Sequence, residues 1–321
     1  MNKSAEPKDN LIDRIGVAGR FPPGEYEKVI ALACEAGFEC FELSVGQFGA
    51  TEPGWPRTLL EKPETKDRLR DRLGSFSRVI IRATEEGLNI ASINPGQRSE
   101  SIRQYLESLD LARDLGAEVV SFQPGGPTPG FVSDPRDIVD KNIAFAKQAL
   151  KLPGSMNMVF QSVGIGLPEM EAVMAGLDSD VFGVDLWAGA LAAQGGPPAN
   201  EMEPTNRVLT WIDTLTDRIK LVHLSGVHQR WHADRLAGCP FEMNNALNLA
   251  AVVHRLTDIN FPGPIILDIQ APNPAQTLHY CKTAREELQR IYSESPRKNK
   301  KSCPSCKSCL KKGVFLNPSG G

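Results

Sequence analysis

Four polar side chains stand directly after short, mainly apolar runs of the sequence. They are Gln161, Asp185, His223 and Asp268. Two carboxylates, one imidazole and one amide oxygen that meet at one point would suit a single divalent cation such as Mn, Co, Mg or Zn. We therefore predict one divalent metal site at these residues. The alternative for each residue alone is a hydrogen-bonded group at the end of a strand.

Further polar and aromatic residues follow the same kind of run and are candidates for binding a substrate. His228, Arg230 and His232 lie in the polar segment that follows His223. An arginine there could bind a carboxylate or phosphate through two parallel hydrogen bonds. Glu42 ends an earlier apolar run, and Trp187 could form an apolar wall of a pocket. A solvated polar loop is the alternative for the three residues after His223.

The end of the chain carries a separate motif of three cysteines, Cys303, Cys306 and Cys309. Three thiolates could bind zinc or an iron–sulfur cluster, although both usually take a fourth ligand. Redox chemistry, attachment of a partner and the absence of any specific role are the alternatives. The odd total of seven cysteines favours reduced thiols over a disulfide framework.

Apolar runs alternate with segments of helical spacing along most of the chain. The runs cover 13–19, 38–45, 88–94, 117–123, 155–163, 181–187, 219–225 and 264–270. The helical segments cover 24–36, 99–116, 134–152, 167–177, 204–217, 245–257 and 274–293. The runs predict eight short strands that alternate with helical segments. Strands such as 119–122 and 265–267 are nearly continuously apolar, which is typical of parallel strands buried on both faces.

This alternation predicts an α/β fold, a (β/α)8 TIM barrel over residues 13–295, with an extension at 1–12 and a flexible basic cysteine-containing tail at 296–321. An open doubly wound sheet is less well supported, because the turn after the first strand lacks a G-x-G-x-x-G motif. Long loops are expected at 46–63 and 226–243, after the second and seventh strands. Barrels place their active sites on that face.

Composition and charge narrow the classes of function. The 321 residues are 41% hydrophobic and 23% charged, with a net charge of −3. Residues 296–312 hold seven Lys or Arg and no acid, which leaves −10 on the rest of the chain. An acidic barrel is a poor nucleic-acid binder. Residues 1–13 lack the apolar segment of a secretory signal, and no apolar run could span a bilayer, so we expect a cytoplasmic protein without membrane contact.

Several segments resemble the xylose isomerase-like TIM barrels, a superfamily of sugar isomerases and epimerases, inosose dehydratases and endonuclease IV. The segments are Gly-Phe-Glu-Cys-Phe-Glu-Leu at 37–43, the helix–strand segment at 109–126, Val-Asp at 184–185 and Leu-Val-His-Leu at 221–224. The resemblance implies the metal ligands Glu, Asp, His and Glu at Gln161, Asp185, His223 and Asp268. The chain departs from the family pattern at Gln161 and Asp268, and also at Gln123 and Ala188, where the family has histidines.

The resemblance implies a sugar isomerase/epimerase-like enzyme that acts on a small polyhydroxylated or keto substrate with one divalent metal. A glutamine cannot accept a proton, so Asp268 is the expected base and Gln161 a neutral ligand or substrate contact. One-base isomerisation or a lyase or dehydratase step is then expected, rather than two-base epimerisation. The alternatives are a binding or regulatory barrel with a degenerate metal site and an endonuclease IV-like DNA repair enzyme. The sequence is compatible with a homo-oligomer.

Overall fold

The computed structural model describes residues 11–19, 26–45, 62–83, 87–194, 204–229, 235–244 and 246–294. Within these residues the chain forms ten strands and nine α-helices. The strands are β1 (Ile15–Gly19), β2 (Cys40–Ser44), β3 (Arg78–Arg82), β4 (Val119–Phe122), β5 (Asn157–Gln161), β6 (Phe182–Trp187), β7 (Ile219–Leu224), β8 (Gly226–Gln229), β9 (Arg235–Cys239) and β10 (Ile265–Leu267). The helices are α1 (Tyr26–Glu35), α2 (Pro63–Leu73), α3 (Pro95–Asp114), α4 (Pro135–Ala149), α5 (Leu167–Ala175), α6 (Ala188–Ala193), α7 (Pro204–Thr214), α8 (Leu249–Asp258) and α9 (Pro274–Glu294).

Eight of the strands close into a parallel barrel in the order β1-β2-β3-β4-β5-β6-β7-β10, and β10 pairs with β1 to complete the circle. The predicted TIM barrel is therefore confirmed. Strands such as β4 are buried at every position, which explains their nearly continuous apolar sequence. The register places Gln161 opposite Asp185, and Ile266 opposite His223, so the polar ends of these strands are neighbours.

The inside of the barrel is built in layers. One layer is apolar and small, and it consists of Ala18, Cys40, Ile80, Val119, Val159, Leu221 and Ile266. Residues two positions apart on a strand face the same side. The residues two positions further along these strands therefore form the next inward layer, toward the carboxyl ends of the strands, and this layer is polar. Its members are Glu42, Arg82, Ser121, Gln161, Asp185, His223 and Asp268.

The third barrel strand differs from the sequence prediction. It is β3 at Arg78–Arg82, whereas residues 88–94 form turns that lead into α3. In β3 only Val79, Ile80 and Ile81 are apolar between two arginines, so the run is too short to stand out. Four of the seven residues at 88–94 are apolar, but the segment forms turns, and the Asn89 side chain accepts a hydrogen bond from the amide of Ala91.

The structure also differs from the sequence predictions at two helices and one loop. Helix α2 was not predicted, because its sequence is mostly charged and only Leu69 and Leu73 are buried. Helix α3 begins at Pro95 with Asn94 as its N-cap, rather than at Ser99. The loop expected at 226–243 contains the antiparallel pair β8–β9. Among the described helices, none combines the length and apolar composition that crossing a bilayer requires.

Candidate active site

A histidine held between two carboxylates lies at the centre of the polar layer. The Nδ1 atom of His223 is 2.7 Å from Oδ1 of Asp185, and its Nε2 atom is 2.6 Å from Oε2 of Glu42. Glu42 and Asp185 are 0% exposed and His223 is 2% exposed. Strands β2, β6 and β7 supply these three side chains, so the contact spans the inside of the barrel.

Asp185 is held by further donors through its second oxygen. Its Oδ2 atom accepts a hydrogen bond of 2.6 Å from the Ser121 hydroxyl and one of 2.7 Å from the Trp187 indole. The indole also lies against His223, with ring centroids 4.7 Å apart. These contacts fix the carboxylate and the imidazole in one relative orientation.

Arg82 brings a permanent positive charge into the same layer. Its side chain is 2% exposed, and it donates hydrogen bonds of 3.3 and 3.0 Å from Nε and Nη2 to the Ser44 hydroxyl. Its Nη1 atom lies 3.9 Å from Oε1 of Glu42, and its guanidinium carbon is 5.3 Å from the ring centroid of Trp187. The sequence prediction missed Arg82 and Ser121. Arg82 was missed because the sequence prediction misplaced β3. A signal was available for both residues, since Arg82 and Ser121 each lie two positions beyond an inward-facing apolar residue.

The surroundings of His223 favour its charged form. Burial alone lowers the pKa of an imidazole, but the Asp185 and Glu42 carboxylates outweigh that effect through charge and hydrogen bonding. They raise the pKa of His223 to about 10. The ring is therefore an imidazolium at neutral pH.

A small cavity of about 90 Å³ lies beside this cluster, next to the carboxyl ends of β6, β7 and β10. Asp268 lies on its wall and is 7% exposed. The Ser225 hydroxyl on the wall accepts a hydrogen bond of 3.0 Å from the amide of Gly238. The cavity is lined by Trp187, Gly189, Ala190, His223, Ser225, Gly238, Asp268 and Gln270. Two larger cavities, of about 350 and 480 Å³, lie among the outer elements and contain none of these side chains.

The structure brings only some of the predicted site residues to this cavity. His223, Asp268 and Trp187 line it, whereas Glu42 is buried beneath it against His223. Gln161 is buried at the end of β5, beside Asp185 in the sheet register, and is not among the lining residues. His228 is half-buried in β8, with its Nδ1 atom 3.1 Å from the carbonyl oxygen of Met243. The remaining predicted residues lie outside the described part of the chain: Arg230, His232, Cys303, Cys306 and Cys309.

The described donors do not fit a divalent ion in their present arrangement. Across those parts of the chain that the structure describes, no three His, Cys, Asp or Glu residues group in a way that could hold a metal. Asp185 and His223 touch each other directly, and Gln161 contributes only a neutral oxygen. The metal site at Gln161, Asp185, His223 and Asp268 therefore stays a prediction.

The barrel and its polar layer define the class of protein: a TIM barrel with a small polar pocket at the carboxyl ends of its strands. The chain belongs to the xylose isomerase-like TIM barrel family, whose model matches residues 30–293. No curated protein sequence matches it.

Solved structures with the same fold include several sugar epimerases. An L-ribulose 3-epimerase matches with a TM-score of 0.67 and 16% identity, over 91% of this chain and 99% of its own. A D-tagatose 3-epimerase-like protein matches with a TM-score of 0.66 and 17% identity, over 88% and 98%. The IolI protein, solved with a bound zinc atom, matches with a TM-score of 0.64 and 13% identity, over 87% and 99%. Because the sequence identities are only 13–17%, the similarity to these structures shows the fold alone.

Proposed function

We propose that this chain is a sugar isomerase/epimerase-like enzyme that transfers a proton within a small polyhydroxylated or keto substrate. The observation that carries the proposal is the wall of the 90 Å³ cavity, which one carboxylate residue, Asp268, lines together with Ser225 and Gln270. A carboxylate is a competent base for a C–H bond next to a carbonyl group. Membership of the xylose isomerase-like family supports this class of reaction.

Four residues on the cavity wall have defined roles in this proposal. Asp268 removes a proton from the carbon next to the substrate carbonyl, the C–H electrons form a C=C bond, and the C=O π electrons move onto the carbonyl oxygen to give an enediolate. The hydroxyl on the deprotonated carbon passes its proton to that oxygen. The new C=O bond then forms at the deprotonated carbon while Asp268 returns its proton to the former carbonyl carbon, so that a single base completes an aldose–ketose isomerisation. Ser225 and Gln270 hydrogen-bond substrate hydroxyls, and Trp187 contributes an apolar wall. Gln161 cannot act as a second base, since an amide does not accept a proton at neutral pH.

The size and charge of the cavity favour a short and uncharged substrate. A volume of about 90 Å³ is roughly three times the share of one water molecule in the liquid, which suits a chain of about three or four carbons. The buried cluster beneath it holds the cations Arg82 and His223 against the anions Glu42 and Asp185, so it is electrically neutral. Asp268 then makes the wall negative, which disfavours a phosphate or carboxylate group.

Proton exchange with solvent tests the proposal most directly. The full-length protein is incubated in D2O with unphosphorylated aldoses and ketoses from trioses to hexoses, and deuterium incorporation next to the carbonyl is followed by ¹H NMR. We expect exchange with the shortest substrates. Asp268→Asn should lower the rate by a factor of about 100 or more, because the base is removed. Asp178→Asn, at an exposed position before β6, is the matched control and should leave the rate unchanged. Equal rates in both variants would contradict the role of Asp268.

A binding or regulatory barrel is the second candidate, and the neutral Gln161 at the end of β5 favours it, because an amide cannot act as a base. This candidate predicts that short polyols raise the melting temperature by several degrees without any exchange or turnover. A thermal-shift screen run beside the NMR experiment separates the two functions. The DNA repair hypothesis stays a prediction, and incubation with an abasic-site duplex and several divalent metals would test it by strand incision.

A further inference from the structure

The ring of His223 has no nitrogen that faces open space. Nδ1 lies 2.7 Å from the Asp185 carboxylate, and Nε2 lies 2.6 Å from the Glu42 carboxylate. A histidine ligand coordinates a metal through one nitrogen and commonly donates from the other to a carboxylate. A metal on either nitrogen of His223 would have to separate the ring from a carboxylate that it already contacts.

Asp185 has also used most of its hydrogen-bonding capacity. A carboxylate offers about four acceptor positions on its two oxygens. Oδ1 contacts His223, and Oδ2 accepts hydrogen bonds from Ser121 and Trp187. Coordination of a metal by Asp185 would compete with these contacts in a layer where the side chain is fully buried.

Arg82 places a charge of the same sign as a metal ion beside this group. The guanidinium is always protonated, and it lies 3.9 Å from the Glu42 oxygen Oε1, whereas Oε2 of the same carboxylate contacts His223. Arg82 and His223 therefore share one buried anion. A divalent ion added next to His223 would be repelled by Arg82 across a buried region, where charge interactions are poorly screened.

From these contacts we infer that Arg82 supplies the positive charge that a divalent ion would otherwise bring to this layer, and that Gln161, Asp185, His223 and Asp268 bind no divalent metal. The neutral amide of Gln161 agrees with this, since it reduces the negative charge available to a cation. The inference concerns the electrostatics of the barrel and holds for an enzyme and for a binding protein alike.

Titration with Mn²⁺ tests the inference on the full-length protein. Free Mn²⁺ gives a six-line EPR spectrum that is lost on binding, and Mn²⁺ prefers oxygen donors, so the cysteines at 303–309 interfere little. We expect the spectrum in the presence of the wild-type protein to match that of buffer alone. Uptake of one equivalent of Mn²⁺ that is lost in Asp185→Asn and retained in Asp178→Asn would overturn the inference.

Substitution of Arg82 tests its specific role. Arg82→Met removes the cation and leaves Glu42 with less compensation, so we expect Mn²⁺ to bind with a Kd at least about tenfold below the lower limit that the wild-type titration sets. Arg82→Lys keeps the charge and is the matched control, for which no gain is expected. A gain in the lysine variant, or no gain in a folded methionine variant, would contradict the role of Arg82. If Arg82→Met does not fold, as judged by circular dichroism, Arg82→Gln takes its place, and the wild-type titration alone decides whether Gln161, Asp185, His223 and Asp268 bind a metal.

Discussion

At the scale of single residues, the central feature is an imidazole with a carboxylate at each ring nitrogen, buried inside the barrel. Burying a charge costs free energy unless a partner of opposite sign is close. Here two anions, Glu42 and Asp185, and two cations, His223 and Arg82, compensate one another. The free energy of unfolding should therefore depend on the group as a whole, and loss of any one member should expose the cost of burying the others.

Replacement of Glu42 tests this dependence. Glu42→Gln preserves the shape of the side chain but removes one of the two anions, and we expect the free energy of unfolding to fall by about 3 kcal/mol. Glu39→Gln, at an exposed position one residue before β2, is the control and should change it by less than about 0.5 kcal/mol. Urea unfolding followed by circular dichroism measures both. A similar, small effect of the two substitutions would show that Glu42 contributes little net stabilisation.

The pH dependence of stability should carry a signature of His223. Its folded pKa, about 10, lies above the ordinary value of 6.5 because two carboxylates face the ring. The protonated ring then stabilises the folded state fully below about pH 6.5, and this contribution is lost as the pH rises through about 10. We expect the difference in unfolding free energy between the wild type and His223→Gln to shrink from about pH 6 to about pH 10. A difference that is constant or grows with pH would contradict the assignment.

At the scale of elements, the two strand–helix units that precede β4 depart most from the prediction. For one of them, helix capping explains why α3 starts earlier than expected. Helix α3 starts where the Asn94 side chain accepts hydrogen bonds of 2.9 and 3.3 Å from the amides of Gly96 and Gln97. Pro95 at the first helical position has no amide hydrogen to satisfy, which suits a helix start. Ser99, the cap expected from the sequence, lies within the helix and is exposed.

Substitution at the two positions distinguishes these helix starts. Asn94→Ala removes the capping oxygen, so we expect the free energy of unfolding to fall by about 1 kcal/mol. Ser99→Ala should leave it unchanged or raise it by a few tenths of a kcal/mol, because alanine is the better helix former at an interior exposed site. Urea unfolding of both variants provides the measurement. The reverse order of effects would place the N-cap at Ser99.

At the scale of the whole molecule, closure of the barrel protects side chains that are far apart in sequence. Cys40 belongs to the apolar layer inside the barrel, and Cys281 is buried in α9 against the outside of the sheet. Burial raises the pKa of Cys40 to about 12, and it also raises the pKa of Cys281. Cys34, in contrast, is exposed on α1. Since the thiolate is the reactive form, both burial and the raised pKa protect the first two thiols.

Alkylation with iodoacetamide should follow this order. We expect Cys34 to be modified in the native protein, whereas Cys40 and Cys281 should react only when the barrel unfolds. Mass spectrometry of the peptides that contain each cysteine, with and without urea, gives the three rates separately. Modification of Cys40 at the rate of Cys34 under native conditions would show that the barrel opens far more readily than its packing indicates.

The pattern of apolar and polar residues was enough to predict the architecture and most of the strand ends. Parallel strands buried on both faces must be apolar, so a polar residue that ends such a run is conspicuous, and Asp185, His223 and Asp268 were found in this way. The same reasoning failed at Arg82, because β3 has only three apolar residues and its inward-facing arginine resembles a solvated one. Which of these polar groups touch one another depends on how the strands are arranged in the folded barrel. Glu42 and His223 are 181 positions apart and meet because the barrel closes. Their contact depends on the strand order and register of the whole sheet, which no local pattern of residues encodes.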